Sequence, residues 1–172
     1  MQLGLRYGDL FQMSYITRDL DAAVEHARTE LGIANFHLSD AEAPVLSGGR
    51  RQDLVVRAAI ANIGCHQFEI IQPVSGPTHV YTEAVDLSAH LLNFHHIAIA
   101  VRGGFHKFEE LIAEVRASGD EIAFLHPPAD TGEEPVVAFM YVDTRKRLGH
   151  HTEYLWWSAA MEGQPSIPNL DA

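Results

Sequence analysis

The two halves of this chain repeat each other, and polar residues take part in the repeat. Three residues of the first half recur in the second half at a constant offset of 84 positions: Gln12, His66 and Glu69 correspond to His96, His150 and Glu153. An internal repeat limits the possible folds strongly, because each copy has to be one supersecondary unit. We therefore expect two copies of the same unit.

The apolar residues of two predicted helices keep this offset as well. The spacing i, i+3 and i+7 marks one buried face of an amphipathic helix. It occurs at Val24, Ala27 and Leu31, and again at Phe108, Leu111 and Val115. Chance similarity between two helices would not also bring a carboxylate into register, so we interpret the halves as a duplication.

Each half has the pattern of a βαβββ unit. In the first half we predict a strand at 10–17, a helix from the N-cap Asp19 to Leu31, and strands at 35–39, 54–63 and 67–72. The second half repeats this order at 96–101, 105–117, 121–126, 136–142 and 152–157. The prediction is an α+β fold in which two tandem βαβββ units form a curved mixed sheet around a cleft.

These units divide the chain into four parts. Residues 1–74 form the first unit, 75–93 a linker with a short helix at 80–89, 94–158 the second unit, and 159–172 a flexible tail. We expect loops at 40–53, 127–135 and 144–149 to determine specificity. The pattern leaves open whether one chain completes the site or exchanges units with a second chain.

Composition narrows the class of protein. The formal net charge is −11, from 12 basic and 23 acidic side chains, which argues against nucleic acid as a partner. Cys65 is the only cysteine, so neither an internal disulfide nor a cysteine zinc site can form. We find no signal peptide and no membrane-spanning segment. The expectation is a cytoplasmic protein with a small-molecule substrate.

Polar residues on the predicted strands share one face of the sheet. Side chains alternate along a strand, so Gln12 and His96 should point into the concave side. On the fourth strands, Glu69 and Glu153 should do the same, with His151 beside Glu153. Two carboxylates within apolar strands need a cation, because an unpaired buried charge is costly. An imidazole, two carboxylates and an amide oxygen can hold a divalent metal.

Four segments of the chain resemble the vicinal oxygen chelate superfamily: FQMSYITRDLDAA, FHHIAIAV, HQFEIIQP and HHTEYLWW. The resemblance spans 10–158 and implies a metal-containing cleft built from paired βαβββ units. The expected assembly is a homodimer. It also implies that the metal ligands are Gln12, Glu69, His96 and Glu153. The expected metal is Zn, Ni, Co or Mn, with Fe as a further option.

This ligand set is similar to those of glyoxalase I and methylmalonyl-CoA epimerase, which transfer a proton next to a carbonyl. The resemblance implies a metal-dependent lyase or isomerase that acts on a small hydroxy or keto compound or a thioester. Glu153 is the first choice for the base and Glu69 the alternative, while His151 is a candidate for relaying a proton.

Two other functions stay open at this point. One is a metal-free ligand-binding or resistance protein of the same fold. The other is an Fe(II)-dependent ring-cleaving dioxygenase, which Gln12 disfavours because those enzymes use two His and one Glu. Arg57 and Tyr141 are candidates for substrate binding. We expect His66, His95 and His150 to face away from the cleft.

Overall fold

The structure is a computed structural model that describes residues 6–83, 85–128 and 134–170. The first half contains β1 (Gly8–Ile16), α1 (Leu20–Leu31), β2 (His37–Ser47), β3 (Arg50–Ile63) and β4 (His66–Ser75), and the one-turn helix α2 (His79–Thr82) follows it. The second half contains β5 (Asn93–Val101), α3 (Phe105–Ser118), β6 (Ile122–His126), β7 (Val137–Val142), the one-turn helix α4 (Arg145–Leu148) and β8 (His151–Trp157). The predicted pair of βαβββ units is confirmed.

The strands close into a barrel in the order β1-β4-β3-β2-β6-β7-β8-β5. The first four strands in this order come from one half and the last four from the other. In each half the first and fourth strands are parallel neighbours. The halves meet where β1 runs antiparallel to β5 and where Leu46 of β2 pairs with Leu125 of β6. The predicted curved sheet is therefore closed, and both units form one barrel within a single chain.

The pairing register repeats with the sequence. Gln12 of β1 lies opposite Gln67 of β4, and His96 of β5 lies opposite His151 of β8. Both residues of the second pair lie 84 positions after those of the first. The repeat found in the sequence is therefore also a repeat of backbone geometry.

Two helices cover the outside of the barrel. The Asp19 side chain caps α1 by accepting a hydrogen bond of 3.0 Å from the Ala22 N–H, as predicted. The apolar face of α1 packs on β3 and β4, and that of α3 packs on β7 and β8. The buried helix residues are Leu20, Ala23, Val24 and Ala27 in α1, and Phe108, Leu111 and Val115 in α3.

Leu31 does not belong to the buried face of α1, contrary to the prediction. It is the last residue of the helix and is 53% exposed, whereas its counterpart Val115 is fully buried. After the helix ends, Ile33 and Phe36 pack against the same cluster. These two residues, and not Leu31, therefore extend the apolar cluster under α1.

The prediction of a loop at 40–53 is wrong. β2 and β3 pair continuously from His37–Ile60 to Ser47–Arg50, and only Gly48 and Gly49 form the turn. Both glycines have positive φ, 56° and 73°, which suits a two-residue hairpin turn between twisted strands. The segment HLSDAEAPVLS of β2 has few residues that favour strands, so pairing with β3 overrides its local preference.

The other predicted loops and the linker also differ in detail. Residues 145–148 of the predicted loop at 144–149 form α4, and α2 is shorter than the predicted helix at 80–89. Residues 129–133 of the loop predicted at 127–135 lie outside the described residues. In the predicted tail, Leu170 packs near Phe11, and the Pro165 carbonyl accepts a hydrogen bond of 3.1 Å from Asn62.

Within the described ranges, no helix combines the length and apolarity needed to span a bilayer.

The barrel interior is polar in its middle and apolar on both sides. Toward the C-terminal end of β1, Ile16 lies in an apolar cluster with Tyr81 and Phe124. Toward the N-terminal end of β1, Phe11 packs with Ala98. Between these clusters lies a group that we call the interior polar set: Gln12, Ser14, Glu69, His96 and Glu153.

Candidate active site

The strand register explains how the interior polar set is assembled. Ser14 lies opposite Glu69 on one side and opposite His96 on the other. Ala98 lies opposite both Gln12 and Glu153. Directly paired residues on neighbouring strands project from the same face of a sheet. Strands β1, β4, β5 and β8 therefore direct these side chains into one space.

His96 is at the centre of this space. Its Nε2 lies 3.3 Å from Oε2 of Glu153 and 3.7 Å from Oε2 of Glu69. The Tyr141 hydroxyl approaches the same nitrogen at 3.4 Å. The His96 side chain is fully buried, and those of Glu69 and Glu153 are 13% and 8% exposed. One imidazole thus contacts a carboxyl group from each half of the barrel.

Burial controls the charges of these groups. It raises the pKa of Glu69 to about 8, and the charge of Glu153 adds to the rise. Burial also raises the pKa of Glu153 to about 8, although a hydrogen bond from Tyr141 opposes this. The pKa of His96 falls to about 3, mainly through burial and partly through His150. Without a bound cation, burial therefore favours the protonated form of the two carboxyl groups and the neutral form of His96.

The donor atoms of the interior polar set suit a divalent cation. The buried Oε1 of Gln12 and Oε2 of Glu69 have no hydrogen-bond partner. Nitrogen and oxygen ligands of one ion at bond lengths of about 2.0–2.2 Å lie roughly 3–3.5 Å apart, which is close to the spacing around His96. Among the described residues, however, no group of three or more His, Cys, Asp or Glu is arranged as a metal site. The interior polar set therefore fits a divalent cation in the chemistry of its donor atoms and in the distances around His96.

The structure also places the other candidate residues. Tyr141 lies inside the barrel opposite Glu153. His151 is buried and stacks on His95, with ring centroids 4.7 Å apart, and its Nδ1 has no hydrogen-bond partner. His66 is exposed, and Nδ1 of the partly buried His150 contacts the carbonyl oxygen of His151 at 2.7 Å.

Arg57 lies away from the interior polar set. Its neighbours on β3, Val56 and Ala58, have the inward register, so Arg57 projects from the outer face. There its guanidinium lies 3.3 Å from Asp21 of α1 and 3.6 Å from Asp40. The structure therefore does not bring Arg57 to the cleft as a substrate-binding residue.

His95 is buried next to the site, although the sequence predicted that it faces away. It is 1% exposed, and its Nδ1 lies 2.9 Å from Nδ1 of His96. The register moves from Ser14–His96 to Tyr15–Phe94, so His95 is an extra residue on β5. A β-bulge of this kind breaks the alternation on which the prediction rested, and a single sequence does not reveal it.

Gln67 was also missed as a site residue. Its side chain is 2% exposed, and its Oε1 accepts a hydrogen bond of 2.6 Å from Nε2 of Gln12. The signal that could have found it is the repeat, since Gln67 corresponds to His151 at the same offset.

Comparisons with known proteins identify the fold. No protein-family model matches this chain, and no curated protein matches it. A hypothetical protein from Bacillus halodurans is 20% identical, with a TM-score of 0.54, and the match covers 87% of this chain and 94% of that one. A variant of Streptomyces coelicolor methylmalonyl-CoA epimerase in complex with 2-nitronate-propionyl-CoA is 16% identical, with a TM-score of 0.55 and coverage of 94% and 99%.

A third solved structure agrees with these two. Methylmalonyl-CoA epimerase from Mycobacterium tuberculosis is 14% identical, with a TM-score of 0.52 and coverage of 88% and 89%. At such identities the likeness shows the fold alone. The molecule shares the fold of these solved structures, and its paired βαβββ units confirm the predicted α+β fold class.

Proposed function

We propose that this protein is a metal-dependent isomerase or lyase that transfers a proton next to a carbonyl, as an epimerase does. The observation that carries the proposal is the position of His96 between Glu69 and Glu153 inside the barrel. The fold of the methylmalonyl-CoA epimerases supports a thioester as the substrate class. A small hydroxy or keto compound is the alternative substrate within the same chemistry.

Four residues would hold the metal: Gln12 through Oε1, His96 through Nε2, and the carboxylates of Glu69 and Glu153. The donors are one nitrogen and three oxygens, which suits Zn, Ni, Co or Mn, and also Fe. A divalent metal bound there would stabilise the negative charge that develops on a substrate carbonyl oxygen.

We assign the proton transfer to Glu153, with Glu69 as the alternative from the other half. A general base works best when its pKa is near the working pH. Burial raises the pKa of both carboxyl groups toward that range. Glu153 is preferred because its Oε2 lies closer to His96 and because Tyr141 donates a hydrogen bond to it. His151, on the same strand face, is a candidate for exchanging the proton with the surroundings.

The first test is metal analysis of protein purified without a metal-binding tag. The proposal predicts near-stoichiometric Zn, Ni, Co, Mn or Fe, which is lost in His96→Ala. His66→Ala is the matched control, because His66 is an exposed histidine at the start of β4. Absence of metal from the wild type, even after reconstitution, would contradict the proposal.

The second test measures proton transfer directly. The protein is incubated in deuterated water with methylmalonyl-CoA, or with the hemithioacetal of methylglyoxal and glutathione. The proposal predicts that deuterium enters at the carbon next to the carbonyl and that His96→Ala abolishes this exchange. Metal binding without exchange on either probe would overturn the assigned reaction while leaving the metal site intact.

A second candidate function is ligand binding without metal or turnover. It is favoured by the contacts within the interior polar set, because neutral His96 and protonated Glu153 can satisfy each other without a cation. This candidate predicts full folding and ligand binding in the presence of chelator. An Fe(II) dioxygenase would instead consume oxygen with a catechol, and Gln12 at a ligand position disfavours it.

A further inference from the structure

We propose that two hydrogen-bond relays, each beginning at a backbone carbonyl, orient His96 and Gln12 so that a lone pair of each faces the interior. His95 forms the first relay, and Asn62 with Gln67 forms the second. These three are positioning residues, because they act through His96 and Gln12. The inference rests on the proposed metal site, for which it names the parts that set ligand orientation.

The first relay reaches His96 from α2, in the linker between the halves. Nε2 of His95 lies 3.1 Å from the Val80 carbonyl oxygen. A carbonyl oxygen can only accept, so His95 carries a proton on Nε2. Nδ1 of His95 lies 2.9 Å from Nδ1 of His96, and one of these two nitrogens has to donate to the other.

The surroundings of His95 decide the direction of that bond. His95 is 1% exposed and packs against the rings of Tyr81 and His151. Its two nitrogens contact a carbonyl and an imidazole, neither of which is negatively charged. A buried imidazolium here would lack charge compensation, so His95 is neutral and its Nδ1 accepts. His96 therefore donates from Nδ1, and its Nε2 keeps a lone pair.

This lone pair faces the site. Nε2 of His96 is the atom that lies 3.3 Å from Glu153, 3.7 Å from Glu69 and 3.4 Å from the Tyr141 hydroxyl. A hydrogen bond to the far nitrogen of a metal-binding histidine fixes its tautomer and ring orientation. Here His95 supplies this bond, a role that a carboxylate or a backbone carbonyl usually has.

The second relay reaches Gln12 from the C-terminal segment. Nδ2 of Asn62 donates to the Pro165 carbonyl at 3.1 Å, so Oδ1 of Asn62 is left to accept from Nε2 of Gln67 at 2.9 Å. Nε2 of Gln67 also donates to the Ser166 carbonyl at 3.1 Å. Oε1 of Gln67 then accepts from Nε2 of Gln12 at 2.6 Å. The free end of Gln12 is therefore Oε1, which is buried without a partner.

Both relays start at a backbone carbonyl, which has no proton to give. In the amide relay this fixes every following donor and acceptor. In the histidine relay it does so together with the neutrality of His95. The relays begin outside the strands, in the linker and in the C-terminal segment. Residues 165–166 consequently contribute to the site although they follow the last strand.

The direct test of the first relay is NMR of the imidazole nitrogens in metal-free protein labelled with 15N-histidine. Long-range proton–nitrogen spectra distinguish the two neutral tautomers and the charged form. The inference predicts a proton on Nδ1 of His96 and on Nε2 of His95. A proton on Nε2 of His96, or a charged His95, would overturn it. Because no metal is present, this result does not depend on the proposed function.

The consequence for metal binding is tested with His95→Phe, which keeps an aromatic ring but removes both hydrogen bonds. Loss of such a supporting bond typically weakens metal binding by about 10–100-fold, so the dissociation constant for Zn(II), measured against a competing chelator, should rise by this factor. His66→Phe is the matched control and should leave it unchanged. Circular dichroism establishes that each variant is folded. An unchanged constant in folded His95→Phe would overturn the first relay.

The second relay is tested by a pair of substitutions at Gln67. Gln67→Met keeps the length of the side chain but breaks the amide chain, so Gln12 loses its fixed orientation. Zn(II) binding should weaken, and the visible spectrum of the Co(II) form should change as the ligand set changes. Gln67→Glu, protonated in this buried place, can still accept from Gln12 and should restore both. Equal binding by wild type and Gln67→Met would overturn the second relay.

Discussion

The two halves of the barrel share a backbone but present different chemistry at equivalent positions. Both keep a carboxylate, and both carboxylates contact the same imidazole. The other two positions differ, because the first half has amides where the second has imidazoles. The equivalent pairs are Gln12 and His96, Gln67 and His151, and Glu69 and Glu153.

The difference shows which features depend on the site and which depend on local partners. Each half contributes a carboxylate because both carboxylates face the same space in the middle of the barrel. The side chains behind Gln12 and His96 depend on their own surroundings instead. Gln67 connects Gln12 to the C-terminal segment, whereas His95, an extra residue on a bulge, connects His96 to the linker. A duplicated backbone can therefore support two unrelated ways of orienting equivalent side chains.

The largest expected effect separates the two carboxylates. Glu153→Gln should lower the rate of deuterium exchange by about 10²–10⁴-fold, the usual contribution of a general base, and Glu69→Gln should lower it less. The rates are measured on whichever probe the wild type exchanges, and the metal content of each variant is measured in parallel. A larger loss in Glu69→Gln would assign the base to the first half.

The second prediction compares the two helices at equivalent faces. Leu111→Ala should lower the free energy of unfolding by about 2–5 kcal/mol, because it leaves a cavity in a packed cluster; Leu111 is fully buried. Leu31→Ala should change it by less than about 0.5 kcal/mol, as surface substitutions usually do. Chemical denaturation measures both. Similar losses in the two variants would show that the halves pack their helices alike.

The third prediction concerns stability against pH without metal. Glu69 and Glu153 have a pKa raised from 4.5 to about 8 in the folded protein, so the folded chain holds more protons than the unfolded chain in this range. Their stabilising contribution is complete below pH 4.5 and is lost as pH rises through 8. His96 and His151, with pKa lowered to about 3 and about 4, oppose this trend only below about pH 6.5, where unfolded histidine takes up protons.

The pH range in which the two carboxyl groups dominate the change in stability is therefore 6.5 to 8. In chelator, Tm should fall across it by roughly 3–5 °C per pH unit for each proton that folding retains. Calorimetry measures this slope, and the double variant Glu69→Gln with Glu153→Gln is the control that should flatten it. With saturating Zn(II) the slope should flatten, because the two carboxylates are then deprotonated in the folded as well as in the unfolded protein. A Tm that rises with pH in chelator would contradict the assigned pKa shifts.

The smallest effect is expected at Arg57. Its ion pairs with Asp21 and Asp40 are on the outer face, and those two side chains are 76% and 83% exposed. Exposed ion pairs contribute about 0–1 kcal/mol, so Arg57→Ala should change the free energy of unfolding by no more than this. KM for the exchanging probe should stay unchanged. A large increase in KM would show that Arg57 reaches the substrate after all.

Much of the fold could be predicted because its signals are periodic. The apolar spacing at Phe108, Leu111 and Val115 indicates a buried helix face, and the structure buries all three. Side-chain alternation puts Phe68 and Tyr154 on the opposite face from Glu69 and Glu153, and both pack in the clusters under the helices. The hairpin of β2 and β3 could not be predicted in this way, because β2 is held by its pairing with β3 and carries little preference of its own.

For the site, the repeat marked Gln12, Glu69, His96 and Glu153 together with His66 and His150, and strand alternation and the family resemblance then singled out the first four. Their common location follows from strand pairing within one closed barrel, which the tertiary structure decided. The tertiary structure also decided the parts of the two relays, because a bulge at His95 and the return of residues 165–166 to the barrel arise from contacts between distant segments. Local sequence specifies periodicity, whereas the direction of a hydrogen bond depends on which distant carbonyl comes within reach.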